Sequence, residues 1–237
     1  MSEARFRRLL PAGDPGAVTT AEALAAELDL HALAPPDRPA VVLNMIASLD
    51  GRITIDGRAG PLANRADHEM FHALRGAADA VLVGAGTVRA EGYGAMEQVA
   101  VVVSRSLDLS PDLGLLRASG NRVIVITGPE GELPPCAAQV EYLRSSGPRL
   151  DLEDALRRLR AEHSIGAVVC EGGAHLNAAL LPSRLVDEIH LVISSVLVGG
   201  ETPLTMLEGP LLEPPITGTL RWLLEADGLL FTRYALA

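Results

Sequence analysis

Apolar residues along this chain gather in short, nearly continuous runs rather than in alternation. "AVVLNMIA" (40–47), "DAVLVGAG" (79–86), "QVAVVVS" (98–104), "NRVIVIT" (121–127), "GAVVCEGG" (166–173) and "DEIHLVIS" (187–194) are mostly rich in Val and Ile. Central strands read this way when both faces of their sheet are covered. Stretches with helical periodicity lie between several of them: "NRADHEMFHALRG", "LEDALRRLRAEH" and "AHLNAALL". Repetition of strand, helix, strand predicts an α/β three-layer sandwich around a mostly parallel, mixed central sheet. The tail "TLRWLLEADGLLFTRYALA" reads instead as two strands around "ADG". The parallel sheet is therefore expected to end in a C-terminal antiparallel hairpin. Residues 1–38 read as an N-terminal extension packed on the domain, with an Ala/Leu-rich helix capped by Thr19 or Thr20 and ended by "APPDRP". Residues 39–237 read as one domain.

Composition narrows the class. Of 237 residues, 48% are hydrophobic, enough for a globular core, and the net charge is −10 with no basic run. Nucleic acid is not an expected partner. No apolar run approaches the ~18 residues that span a bilayer, and "MSEARFRRLL" lacks a signal-peptide core. Cys136 and Cys170 are isolated from each other, so neither a disulfide framework nor a Cys-rich zinc site is expected. A soluble, reduced, cytoplasmic protein is the expectation.

One motif asks for separate treatment. "DHEMFH" (67–72) contains His-Glu-x-x-His, the zinc-hydrolase pattern when it lies on a helix. His68 and His72 are four apart and share a helix face. A third ligand is needed, and the next residues, "ALRGAADAVLVGAGT", offer none before a buried strand begins. The apolar positions Ala66, Met70, Phe71, Ala73 and Leu74 form one buried stripe, so an amphipathic helix accounts for the motif and no metal is expected.

Two strands stop at glycine pairs and turn into helices. In "VLVGAGTV", Gly84 and Gly86 lack Cβ and admit a ligand close to the backbone, with Thr87 adding a hydroxyl. In "VVCEGGAHLNAALL", Gly172 and Gly173 precede the helix-start N–H groups of Ala174, His175 and Leu176. Such N–H groups favour anionic phosphate. The third glycine of the dinucleotide fingerprint would fall at Arg89 and is missing, which disfavours a Rossmann domain. Single residues stay open to two readings. Glu171 ends a strand, where function concentrates, or balances a helix dipole. Asp50 serves a site or simply makes the Asp-Gly turn. Arg75 ends a helix, where any cation is favourable.

Taken together, Ser48-Leu49-Asp50-Gly51, the helix carrying Arg65, Asp67, His72, Leu74 and Arg75, the turn with Gly84, Gly86 and Thr87, Glu171-Gly172-Gly173 and Leu185-Val186-Asp187-Glu188 resemble one family closely. It is the reductase domain of the bifunctional riboflavin-biosynthesis deaminase-reductase, with its single-domain pyrimidine-reductase relatives. The resemblance spans about residues 40–236. It implies a dihydrofolate-reductase-like fold, NADPH as cofactor, and reduction of a ribosylamino 5′-phosphate on a diaminouracil to the ribitylamino product. It places Ala47 and Ser48 near nicotinamide and substrate, Arg75 on the substrate phosphate, Glu171 on substrate, Glu91 at the cofactor ribose, and residues 174–176 along the pyrophosphate. Asp50, Glu171 or water would supply the proton. Ser104, Arg105 and Ser106, ending another strand where the family often has Asp-Ser, are expected either to form a pocket for the 2′-phosphate that distinguishes NADPH or to leave Arg105 as a solvated loop residue. A homodimer is implied by analogy. Asn44 replaces a lysine common in the family, "AEGYGAME" replaces its Asp-Asp-Pro block, and "GPLAN" its Trp-Ile-Thr block. These departures leave open another pterin or pyrimidine substrate such as dihydrofolate, or a non-catalytic NADPH-binding protein. No deaminase zinc signature is present in this chain.

Overall fold

Each of the six apolar runs forms a strand, and the intervening periodic stretches form helices. The computed structural model describes residues 3–10, 16–147 and 149–237. In chain order these contain β1 (Phe6–Leu10), β2 (Val18–Thr19), α1 (Ala21–Glu27), β3 (Ala40–Ala47), α2 (Arg65–Gly76), β4 (Ala80–Gly84), α3 (Ala85–Glu91), β5 (Val99–Val103), α4 (Gly114–Arg117), β6 (Arg122–Thr127), β7 (Gln139–Arg144), α5 (Leu152–His163), β8 (Ala167–Cys170), α6 (Ala174–Leu180), β9 (Glu188–Ile193), β10 (Gly218–Ala226) and β11 (Leu229–Leu236). One sheet runs β2-β1-β10-β11-β9-β3-β8-β4-β5-β6-β7. From β9 to β7 every pairing is parallel. From β9 to β2 every pairing is antiparallel.

The register separates the two faces. Val42, Val169, Val81 and Ala100 are cross-strand partners or neighbours and point to one side, where α1 to α4 pack. Leu43, Cys170, Leu82 and Val101 point to the other, where α5 and α6 pack. These strands are buried on both faces, which is why they read as unbroken apolar runs. The helix starts follow sequence. Asn64 Oδ1 accepts from Asp67 N–H at 3.2 Å at the head of α2, Thr20 caps α1, and Asp151 caps α5.

Two details differ from the sequence reading. The C-terminal hairpin is not the last element of the sheet, because β1 pairs antiparallel with β10 and β2 with β1. Phe6 is fully buried edge-on against Phe231, ring centroids 5.0 Å apart, so the N-terminal segment enters the core. The stripe on α2 is narrower than expected. Ala66, Met70 and Leu74 are buried, whereas Phe71 turns away from the core.

Carboxylate pairs fix the middle of the sheet. Asp187 takes a two-pronged bond from Arg38, both at 2.8 Å, and a third from Val41 N–H. Buried Glu188 is gripped likewise by Arg233, both contacts at 2.7 Å, which ties β9 to β11.

Candidate functional site

β4 and β8 lie side by side with Leu82 opposite Cys170, so the bends that follow them meet. Gly84 N–H donates to the Gly172 carbonyl at 2.7 Å. A Cβ built on Gly173 would lie 2.9 Å from Thr87 Oγ1, closer than side chains tolerate. Gly172 has φ +76° with Met45 Sδ and Asn177 packed around it, a position only glycine fills without strain. Gly84 and Gly173 are the N-caps of α3 and α6, and neither helix has a side-chain cap. Their first N–H groups open at the same edge of the sheet.

Over these bends lies a cleft of about 800 Å³. Its floor is the end of β3 and the residues Gly173 and Ala174. One wall is the α2 face with Asp67, His68, Phe71 and Arg75. The other is formed by residues 57–63 and by α3 with the segment after it, including Gly86, Thr87, Glu91 and Tyr93. Glu91 Oε1 accepts from Ala59 N–H at 2.7 Å and joins the two parts of that second wall.

The strongest polar contact in the cleft is between Arg75 and Glu171. Arg75 Nε donates to Oε1 at 2.6 Å and Nη2 to Oε2 at 2.8 Å, a forked, charge-assisted pair. Tyr93 donates its hydroxyl to Oε2 at 2.5 Å. The guanidinium lies 4.1 Å from the Phe71 ring centroid and 5.4 Å from that of Tyr93. Burial opposes the charge of Arg75, but the carboxylate outweighs it and its pKa is raised. Burial, together with the same carboxylate, drives the Tyr93 hydroxyl well above its ordinary value. Arg75 Nη1 has no hydrogen bond to any described residue.

Asp67 differs from both acidic neighbours. Burial pushes its carboxyl up to about 6, with adjacent His68 opposing. Asp50 is the reverse case. Ser48 Oγ donates to it at 2.6 Å, Gly199 N–H at 2.8 Å and Val198 N–H at 3.1 Å. These bonds, Ser48's first, hold it well below the usual carboxylate range.

Of the residues singled out by sequence, Arg75, Gly86, Thr87, Glu91, Glu171, Gly173 and Ala174 line the cleft together. Gly84, Gly172 and Leu176 lie directly beneath them. Ala47 packs with Ile53 against Ala174. Ser48 and Asp50 do not line the cleft, and their bonds are those of the turn alternative. Asp50, bonded in this way, is an acceptor in the turn that follows β3. His175 is exposed, its Nδ1 bonded to the Glu208 carbonyl at 2.9 Å. Ser104 and Arg105 follow β5, whose Val103 pairs with Gly84, and so lie beside the bends, outside the set of residues that line the cleft. The Ser104 hydroxyl is buried with no hydrogen-bond partner among the described residues, and Arg105 is exposed. Glu69 of the His-Glu-x-x-His motif accepts from Ala4 N–H at 2.7 Å, and no group of three or more potential metal ligands occurs among the described residues. Phe71 and Tyr93 were missed. The first was hidden in an apolar stripe, the second in a segment that departs from the family pattern.

Comparison with known proteins places the chain in a family and a fold. A family model described as the RibD C-terminal domain matches residues 39–222. A protein of Methanothermobacter thermautotrophicus named 2,5-diamino-6-ribosylamino-4(3H)-pyrimidinone 5′-phosphate reductase is 29% identical over 186 residues, covering 73% of this chain and 85% of that one. Its namesake in Eremothecium gossypii is 30% identical, covering 70% and 78%. Against the longer riboflavin biosynthesis protein RibD of Actinobacillus pleuropneumoniae, the chain spans 49% of the relative's length. Among solved structures, a pyrimidine reductase-like protein of Corynebacterium diphtheriae superposes with a TM-score of 0.71 at 24% identity, covering 92% of this chain and 99% of that one. The deaminase/5-amino-6-(5-phosphoribosylamino)uracil reductase of Thermotoga maritima gives 0.70 at 25%, covering 84% and 57%.

Proposed function

Because the chain belongs to the RibD C-terminal domain family, we propose that it is an NADPH-dependent pyrimidine reductase of the riboflavin pathway, reducing the ribosylamino side chain of 5-amino-6-(5-phosphoribosylamino)uracil, or of its 2-amino counterpart, to the ribitylamino product. The observation that carries this reading is the contact between the two glycine bends beside a cleft walled by the Arg75–Glu171 pair. The fit to a dinucleotide is physical. A Cβ at Gly173 would fill the floor of the cleft, and two helix starts without side-chain caps leave N–H groups for phosphate oxygens.

The cofactor, when bound, supplies hydride. The chain's own residues do the rest. The first-turn N–H groups of α3 and α6, with Thr87, hold phosphate, and Glu91 braces the wall at the ribose. Glu171 fixes Arg75 so that Nη1 presents to the substrate's phosphate or sugar oxygens. Phe71 and Tyr93 flank the guanidinium and keep water from its faces. Ser48 and Asp50 shape the turn at the end of β3. Arg105, exposed beyond β5, supplies a cation for the 2′-phosphate that separates NADPH from NADH. Among the described residues no helix is long and apolar enough to cross a membrane. The reading extends to a cytoplasmic homodimer, supported by the family resemblance and checked by light scattering.

The decisive assay follows NADPH absorbance with both ribosylaminopyrimidine 5′-phosphates and with dihydrofolate. Oxidation with either of the first two, and not with dihydrofolate, is expected. Oxidation with dihydrofolate alone, or with none, removes the reading. Arg105→Ala should narrow the preference for NADPH over NADH, and an unchanged ratio discards that residue's part.

A further inference from the structure

Three carboxyl groups line the cleft, on Asp67, Glu91 and Glu171. Glu171 already accepts from Arg75 and Tyr93, and Glu91 from Ala59. Both therefore have carboxylate oxygens occupied as acceptors. The Asp67 carboxyl receives no hydrogen bond from any described residue. Asp67 lies one helical turn before Phe71 and two before Arg75, so all three share the stripe of α2 that faces the cleft. Ile46, Pro61, Ala63 and Phe71 supply apolar surface in the same cleft.

Resting on the reading above, we propose that Asp67 donates the proton that accompanies hydride transfer. The substrate's sugar opens to an imine between C1′ and the exocyclic nitrogen. Hydride arrives at C1′, and the π pair of the C=N bond moves to nitrogen. The nitrogen takes the proton from the Asp67 carboxyl. The products are a secondary amine, the oxidised nicotinamide and the Asp67 carboxylate, which regains a proton from water entering the open cleft.

The electrostatics suit the task. A donor works best when it titrates near the working pH, and burial moves this carboxyl up to about 6. The charged groups that bear on it are few. His68 on its own helix opposes the shift. Arg58 on the facing segment, Arg75 further along α2, Glu91 on α3 and Glu171 after β8 share the cleft. The last three are engaged in the contacts already described, those of Arg75 and Glu171 being with each other and with Tyr93.

The test uses the full chain with Asp67→Asn and Asp67→Glu. Carbon-13 carboxyl NMR of aspartate-labelled protein should show one resonance titrating near pH 6 that is missing from D67N. In the unaltered chain kcat should fall about tenfold per pH unit above that point, as a needed acid form disappears. D67N should bind NADPH with unchanged affinity, lose about 100-fold in kcat with KM altered less than about threefold, and lose the alkaline fall. D67E should regain part of kcat. Should D67N keep kcat and the alkaline fall while the unaltered chain is active, the proton role is overturned and the reductase reading stands. Absence of turnover in the unaltered chain removes both. A D67N chain that no longer binds NADPH, alongside a D67E chain without recovery, assigns Asp67 a structural part and also overturns the proposal.

Discussion

Asp50 and Glu171 follow neighbouring parallel strands, and each carboxylate is saturated by three donors, yet they occupy different environments. Asp50 sits in an exposed turn, held by a hydroxyl and two backbone N–H groups. Glu171 is only 8% exposed, lines the cleft, and is held by a guanidinium and a phenol. Both were singled out from sequence for the same kind of work. The number of hydrogen bonds does not separate them. What separates them is the dielectric around the charge and what the donors themselves face. A hydroxyl and two backbone N–H groups at an exposed position, with Arg52 no nearer than 3.9 Å, make a stapled turn, whereas a guanidinium bonded directly to a buried carboxylate on the cleft wall makes a surface that a ligand can read.

Glu171→Ala breaks this comparison most severely. It leaves the partly buried Arg75 without its counter-ion and Tyr93 without an acceptor. Stability should fall by about 3 kcal/mol in urea titrations, a size expected when one member of a buried pair is removed. An equal loss in Asp50→Ala would erase the distinction. Tyr93→Phe is smaller. It removes one hydrogen bond while preserving the ring beside Arg75, so a loss of about 1 kcal/mol is expected. A loss as large as that of Glu171→Ala would place the strength of the network in the phenol. Asp50→Asn should have the least effect. The folded-state pKa of Asp50 lies below its ordinary 3.8. Its contribution is therefore present above that value and disappears as pH falls through the folded-state pKa. The difference in melting temperature between Asp50→Asn and the unaltered chain should be visible at pH 6 and shrink below about pH 3.8. A difference that grows in acid contradicts the stapled turn.

How much of this was readable beforehand depends on how local the information is. The six buried strands and the helices α1, α2, α5 and α6 were legible because apolar runs and caps act within a few residues. β1 was missed: Ala4 and Phe6 are buried while Arg5 and Arg7 are exposed, an alternation too short to stand out. β7, "QVEYLR", is an edge strand with a polar face, which reads as loop. The glycine bends were visible as motifs, and their contact follows from β4 and β8 being adjacent, a fact of topology. The site side chains were harder. Phe71 satisfies the same spacing whether it faces the core or the cleft, and only the third dimension decides. Tyr93 reaches Glu171 across 78 residues, and no local pattern announces that contact.

Titrating the purified full chain with NADPH in a calorimeter tests the joint grip of the two bends most directly. One saturable site per chain is expected, weakened at least about tenfold, or 1.4 kcal/mol, in Gly173→Ala, where the added methyl meets Thr87 Oγ1 and enters the floor of the cleft. No saturable binding by the unaltered chain, or full affinity in Gly173→Ala, contradicts it.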